Sequence, residues 1–304
     1  MPEGFAQTCI GAGHTQKGLP CQDASGFARC GRFAAAAVSD GHGGRQYFRS
    51  RRGAQLAVKI ALQNLMRVME RHDLSALPPH AWERLLRRLE RSIAWQWKRA
   101  VARDVRSHPP DARERELCRS LGLDRRQALE WYGATLLAAG MTEHCAFALQ
   151  IGDGRCILVR NGGAGFLLRE DERLGCGMTT SLCGANACAD FRHAWIRGGK
   201  DLQSASIFLM TDGVSDCYAP DSLLAFSAKL QDALKKDRQQ ALSHLDAWLP
   251  VLSDRGSRDD MSIASIYRGA HEGSIADAQA KRRRKRRRCR FIIQQQIIRT
   301  VLLY

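Results

Sequence analysis

Four short segments of this chain set aspartates at the ends of apolar runs: Val38-Ser39-Asp40-Gly41-His42-Gly43-Gly44, Gln150-Ile151-Gly152-Asp153-Gly154-Arg155, Phe208-Leu209-Met210-Thr211-Asp212-Gly213-Val214-Ser215-Asp216 and Gly256-Ser257-Arg258-Asp259-Asp260-Met261-Ser262. Alone, each is a weak signal, because Asp-Gly is mainly a turn dipeptide. Together they carry a chemical implication. In the first and third, an apolar run delivers a carboxylate to its C-terminal end, with glycine next. The fourth reverses the order. Strands that end at one sheet edge can bring such carboxylates together. The cluster repels itself unless cations occupy it. Hard divalent cations suit it, since Mg²⁺ and Mn²⁺ take oxygen ligands octahedrally. Two ions that share a carboxylate and a water would make that water a nucleophile near neutral pH, for in-line attack on a phosphate ester. The glycine after Asp40 leaves a backbone carbonyl free to ligate or orient a metal water.

The elements that must position these groups follow from periodicity. Apolar runs at 5–13 and 32–38 read as strands. Helical spacing holds from 46 to 72, until Leu77-Pro78-Pro79 breaks it, and again from 81 to 105, until His108-Pro109-Pro110. Residues 111–130 are charged and poorly periodic, a short helix or a surface insert. Strand character returns at 134–139, 145–151 and 156–159, with Asn161-Gly162 a hairpin-turn signal. Residues 171–188 are rich in Gly, Thr, Ser and Cys and read as a loop. Strands at 191–196 and 206–210, helices at 220–236 and 238–252, and a last strand at 261–267 complete an α+β pattern.

The order and wording of these segments resemble the metal-dependent type 2C protein phosphatase family. Its hallmarks match Asp40–Gly44, Gly133-Ala134-Thr135, Gly152–Arg155, Thr211–Asp216 and Gly256–Met261, in family order across residues 4–268. The opening segment, Gly13 to Asp23, is similar to a compact bacterial branch. The resemblance implies a four-layer αββα sandwich, two antiparallel sheets flanked by helix pairs, over residues 1–268. It implies a helical insert near 73–130 and a mobile flap near 171–190. It also implies hydrolysis of phosphoserine and phosphothreonine with Mn²⁺ or Mg²⁺, two ions and a third, weaker one. Asp40 would bridge two metals with the Gly41 carbonyl nearby. Asp212 and Asp259 would complete the first site, and Asp153 and Asp216 the third. His42 would protonate the leaving group, a task its ordinary pKa fits. For Asp216, a cap on the following helix is the structural alternative.

The chain departs from the family in its opening segment. Gln22 stands where the family has a metal-binding Glu, followed by Asp23, which can act through water. Gly18 stands where eukaryotic members place a phosphate-clamping Arg. Lys17, His14 and Arg45 are the candidates to supply that positive charge. Asp260, at the family's Asn position, and Gln22 would support the site from behind its ligands. These changes keep a second reading open: a pseudophosphatase, a phosphoprotein-binding regulatory module. No Cys-x₅-Arg loop offers a thiol nucleophile. An aspartyl-phosphate route lacks its Asp-x-Asp, since His42 stands two after Asp40.

Composition sets the remaining bounds. The chain has 304 residues, 44% hydrophobic and 26% charged, which suits a globular protein and excludes wholesale disorder. It holds no apolar window of about 18 residues, so no transmembrane segment is expected. The opening residues lack a secretory pattern, so the cytoplasm is the expected address. Eleven cysteines there read as reduced thiols; a zinc at Cys176, Cys183 and Cys188 is the minor alternative. The net charge is +16, but ten basic and two acidic residues fall within 269–304. That tail, with the unbroken basic block Lys281–Arg288, is expected to be solvated and disordered. It could attract nucleic acid or an anionic surface. The expected partners are a phosphorylated protein substrate and an opposing Ser/Thr kinase.

Overall fold

The computed structural model describes residues 1–168, 179–198, 202 and 204–268, together with the backbone of 292–293. The expected flap segment 171–178, Cys176, and the tail outside 292–293, Lys281–Arg288 included, lie outside the described residues. In chain order the elements are β1 (Pro2–Cys9), α1 (Ala12–Lys17), β2 (Ala24–Cys30), β3 (Phe33–Ser39), α2 (Ser50–Arg71), α3 (Pro79–Ser107), α4 (Ala112–Leu121), β4 (Leu136–Met141), β5 (Cys145–Ile151), β6 (Arg155–Arg160), β7 (Gly163–Phe166), α5 (Ala187–Asp190), β8 (Arg192–Arg197), β9 (Ser206–Met210), α6 (Asp212–Ser215), α7 (Pro220–Lys236), α8 (Arg238–Arg255), β10 (Met261–Arg268) and β11 (Ile292–Ile293).

The strands form two sheets, ordered β1-β10-β9-β6-β7 and β11-β2-β3-β4-β5-β8, and every pairing is antiparallel. β3 shows why they stack. Its sequence FAAAAVS alternates faces with period two. Ala34, Ala36 and Val38 join Leu137, Ile207, Leu209 and Ile266 between the sheets. Ala35 and Ala37 face the other way, into the core under α2 and α3. A third cluster fills the space beneath α7 and α8, with Phe208, Met210, Leu245 and Leu249. The result is the expected four-layer αββα arrangement.

α2 and α3 run antiparallel. Ser92 and Gln96 hydrogen-bond Asn64 at 2.9 and 3.0 Å, and Trp97 Nε1 donates to the Gly53 carbonyl at 3.0 Å. α3 starts on Pro79, whose fixed φ suits a first helical position. Its buried residues Trp82, Leu86, Leu89, Ile93, Trp97, Val101 and Val105 recur every three or four positions. Emptying a wholly buried site such as Trp97 to alanine would cost about 3–5 kcal/mol. α4 carries a capping box on Asp111 and Glu114, and Glu114 also holds Arg49 through two oxygens at 2.8 and 2.6 Å.

Three local expectations are corrected. The strand expected at 5–13 is Pro2–Cys9; the chain then forms α1, between Gly11 and a left-handed Gly18. β2 was not expected, because ASGFARC has little strand propensity; pairing along all of β3 overrides that. β4 begins two residues late, since Ala134 bridges Gly41 and Thr135 bonds Asp40. The Asn161-Gly162 turn forms as expected, both residues at positive φ, joining β6 to β7.

Candidate metal centre and active site

The second sheet delivers Asp40 directly after β3. Its backbone is locked: the Asp40 N–H donates to Thr135 Oγ1 at 3.0 Å, and the Thr135 N–H returns to the Asp40 carbonyl at 2.9 Å. Gly41 then bridges Ala134. A Cβ at Gly41 would lie 2.6 Å from the Gln22 carbonyl, so no larger residue fits this turn. The first sheet delivers Asp212 just beyond β9, where the Gly213 N–H donates to its Oδ1 at 2.8 Å. Asp259 precedes β10, and Asp153 sits in the β5–β6 turn, where Gly152 takes φ 105°. Asp23 precedes β2 and is buried.

These five carboxylates act on one another electrostatically. Burial raises the Asp40 pKa well above the carboxylate range, and the charges of Asp23, Asp212, Asp259 and Asp153 add to it. Burial first, then Asp153, Asp259 and Asp216, push Asp212 up to about 7. Asp23 is raised by burial and by Asp260 and Asp212, against the Thr211 hydroxyl, which donates to its Oδ2 at 2.8 Å. Among the described residues no Lys or Arg forms an ion pair with any of the five. Asp23 Oδ1 is buried without a hydrogen-bond partner. A buried carboxylate oxygen left bare costs several kcal/mol unless something meets it. Carboxylates that feel one another's charge without a neutralising cation suit hard divalent cations. Asp216 lies on the exposed side of this group, at the C-terminus of α6. The next long helix, α7, has Ala219 as its N-cap, so Asp216 does not cap it.

His42 follows the same turn. Its N–H donates to the Gly133 carbonyl at 3.1 Å, and its ring meets the Tyr47 ring edge-on, centroids 4.8 Å apart. Burial lowers its pKa, opposed by Asp153. Of the candidates for positive charge, Lys17 and Arg45 are exposed, at the end of α1 and just after Gly44. His14 is engaged elsewhere: its Nδ1 lies 2.9 Å from Asp260 Oδ2.

Asp260 has a role that sequence reasoning grasped only in outline. It is 2% exposed, and it accepts the Gly11 N–H at 2.7 Å and the Gln22 N–H at 2.5 Å besides His14. One carboxylate thus staples the opening segment to the loop that carries Asp259. His14, Asp259 and Asp260 offer ligand atoms within 4.8 Å of one another, but both Asp260 oxygens already accept hydrogen bonds. Thr135 and Thr211 were missed as supports for Asp40 and Asp23, although both stand inside the motifs, next to the chemistry. The described end of the expected flap is anchored here too. Thr180 Oγ1 accepts the Gly152 N–H at 2.9 Å, and the Leu182 N–H donates to Ala134 at 3.0 Å.

The family model for protein phosphatase 2C matches residues 10–250. The chain belongs to the protein phosphatase 2C family. Among solved structures it is similar to the catalytic domain of the serine/threonine phosphatase PstP in complex with two manganese ions, at 16% identity and TM-score 0.50, covering 88% of this chain and 97% of that one. It is similar to PppA of Pseudomonas aeruginosa, a regulatory component of a type VI secretion system, at 18% identity and TM-score 0.51, with 88% and 97% covered. The serine/threonine phosphatase of S. agalactiae aligns at 17% identity and TM-score 0.51, over 88% of this chain and all of that one. At such identities the likeness is one of fold. No curated protein sequence matches the chain. The family works with manganese or magnesium, and the carboxylate cluster fits that requirement. Among the described residues no helix is long and apolar enough to cross a membrane.

Proposed function

We propose that residues 1–268 form a serine/threonine phosphoprotein phosphatase whose substrates are opposed by a Ser/Thr kinase in bacterial signalling, with a cytoplasmic address. The observation that carries this reading is the group of five carboxylates from five separate segments, unneutralised among the described residues, with a bare buried oxygen on Asp23. Asp40, Asp212, Asp259 and Asp23 would hold two Mn²⁺ or Mg²⁺ ions with the Gly41 carbonyl, and Asp153 and Asp216 a third. Bound there, the ions supply an activated water and neutralise charge on the phosphate.

The chain's own groups do the rest. The strand-end backbone fixes Asp40 through Thr135, so the donors are set before substrate arrives. Attack by water forms a new P–O bond as the ester bond breaks. His42 hands its proton to the departing serine or threonine oxygen. Its burial makes the imidazolium readier to release that proton. Arg45 or Lys17 would meet the phosphate as a positive charge, while His14 serves Asp260. The segment around Thr180, tied to Gly152 next to Asp153, would be the base of the flap.

A second reading, a phosphoprotein-binding pseudophosphatase, is favoured by Gln22 and Gly18, which replace a carboxylate and an arginine of the family pattern. One experiment separates the two. Hydrolysis and binding of a phosphothreonine peptide are measured with and without Mn²⁺, for the intact protein and Asp212→Asn. Metal-dependent turnover that Asp212→Asn abolishes supports the enzyme. Tight binding without turnover, in a folded sample, establishes the binding module instead.

A further inference from the structure

The outer face of α3 is lined with arginines. Arg84, Arg88, Arg91, Arg99, Arg103 and Arg106 are all exposed, while the apolar side of the same helix is buried. At about 100° per residue they fall within roughly a third of the helix circumference, and Trp95 takes the one turn that lacks an arginine. The stripe runs over about 22 positions, about 33 Å at a rise of about 1.5 Å per residue. Arg87, at its margin, lies 3.5 Å from Glu90, which is buried and shared with His193. Among the described residues, Arg84, Arg88, Arg103 and Arg106 make no ion pair. The antiparallel α2 also carries exposed Lys59, Arg67 and Arg71, with an exposed Glu70 among them. Folding alone requires none of this, because an outer helix face needs only polar residues, and mixed signs serve solubility best.

Trp95 marks the kind of polyanion. It is 55% exposed, unusual for so large a ring, and Arg99 stands over it at 4.6 Å from the centroid. A positive track with an aromatic platform in it is the arrangement that holds single-stranded nucleic acid, the phosphates on the cations and a base on the ring. At roughly 3.4 Å per nucleotide, a track of about 33 Å accommodates about ten nucleotides. A bilayer fits less well. The apolar side of α3 is occupied by the protein core, so one tryptophan is all this face could insert. An acidic peptide would leave the exposed ring unused. We infer that the outer face of α3, with the neighbouring cations of α2, is a binding track for single-stranded RNA or DNA, independent of the phosphatase site.

The test uses the full chain and a fluorescent 20-mer of deoxythymidine, with anisotropy read from about 50 to 200 mM salt. Three variants are compared: Arg88→Gln/Arg99→Gln/Arg103→Gln, Trp95→Ala with Trp95→Phe beside it, and glutamine at all eight positions of Lys281–Arg288. The wild type should bind with a steep salt slope. The triple variant should weaken binding at least tenfold and flatten that slope by about 2, at about 0.7 for each phosphate no longer neutralised. Trp95→Ala should weaken binding about fivefold or more, and Trp95→Phe should restore most of it. The inference is overturned if the oligonucleotide does not bind, or if the triple variant binds as wild type while the basic-block variant loses all binding. It is also overturned if a 20-base-pair duplex binds as tightly with no effect of Trp95→Ala. Pelleting with phosphatidylserine vesicles that the triple variant loses and the basic-block variant keeps, with no oligonucleotide binding, would assign the face to a membrane and overturn it as well. Thermal melting of each variant near the wild-type temperature shows that surface substitutions have not unfolded the chain.

Discussion

Replacing Gly133 with alanine should disable the proton donor without touching any carboxylate. A Cβ there would lie 2.6 Å from His42 Cδ2 and 2.6 Å from Tyr47 Cδ1. Ordinary carbon contacts need about 3.5 Å or more, so the rings must retreat by nearly 1 Å. The backbone cannot absorb the shift, because Gly133 accepts the His42 N–H and its neighbour Ala134 bridges Gly41. The rings must move instead, and Tyr47 is the wall against which His42 is set. A misplacement of about 1 Å at a reacting group can cost on the order of 100-fold, within the range general acids contribute. Gly133→Ala should therefore lower kcat on a phosphothreonine peptide about 100-fold, with Mn²⁺ affinity unchanged. The leaving group supplies the control. para-Nitrophenyl phosphate departs as a stabilised anion and needs little proton donation, so its loss should be at least tenfold smaller. Equal losses on both substrates, or kcat within twofold of wild type on the peptide, would refute the placement of His42 as proton donor.

Other consequences follow from the same structure. His193 lies between Glu90 and Glu83, with Nδ1 at 2.6 Å from Glu90 Oε1 and Nε2 at 2.9 Å from Glu83 Oε2. The Glu90 contact, then Glu83, raises its pKa against the effect of burial. Its contribution is therefore complete below the unfolded value of about 6.5 and is lost as pH rises through the higher folded value. Thermal melting should fall between pH 6 and pH 9 by an increment absent from His193→Gln, and that variant at pH 6 should lose about 3–5 kcal/mol, since Glu90 is wholly buried. Asp260→Ala strips partners from the buried Gly11 N–H, the half-buried Gln22 N–H and His14; a loss of about 3–5 kcal/mol is expected in denaturant melts, and a loss below about 1 kcal/mol would contradict its role as a staple. Chelation should lower the melting temperature, because the carboxylates then repel one another. In chelator, Asp212 is raised to about 7, so stability should rise as pH falls from about 8 to 6. With Mn²⁺ present the trend should reverse, since protons compete with the metal; the same trend in both buffers would count against a metal site.

The parts of the fold legible in the sequence are those with a strong period. β3 and β9 are continuous apolar runs stopped by Asp40 and by Thr211-Asp212, so both the strands and their chemistry could be read together. α3 was expected from 81 to 105 and runs Pro79–Ser107, because its tryptophans and leucines keep strict spacing. α1 left no such trace. It has no buried residue and is set by its flanking glycines, with Gly18 in the left-handed region. β2 has no strong strand period, Phe27 being its one large apolar residue, and it exists because it pairs with the whole length of β3. In the site, the Asp-Gly segments announced themselves, but their supports did not. Asp260 bonds Gly11 and Gln22 across 249 and 238 positions of sequence, a relation no local pattern encodes. The same carboxylate moved His14 from the phosphate to Asp260, a role set by who is near rather than by residue type.

The carboxylates at the ends of β3 and β9 and before β10 are proposed to form one metal centre. Anomalous diffraction from crystals grown with Mn²⁺, recorded at the manganese edge, would locate the ions. Two strong peaks are expected, both beside Asp40, one also next to Asp212 and Asp259 and the other next to the Gly41 carbonyl. A single peak at His14, Asp259 and Asp260, or no peak near Asp40 at saturating Mn²⁺, would contradict it.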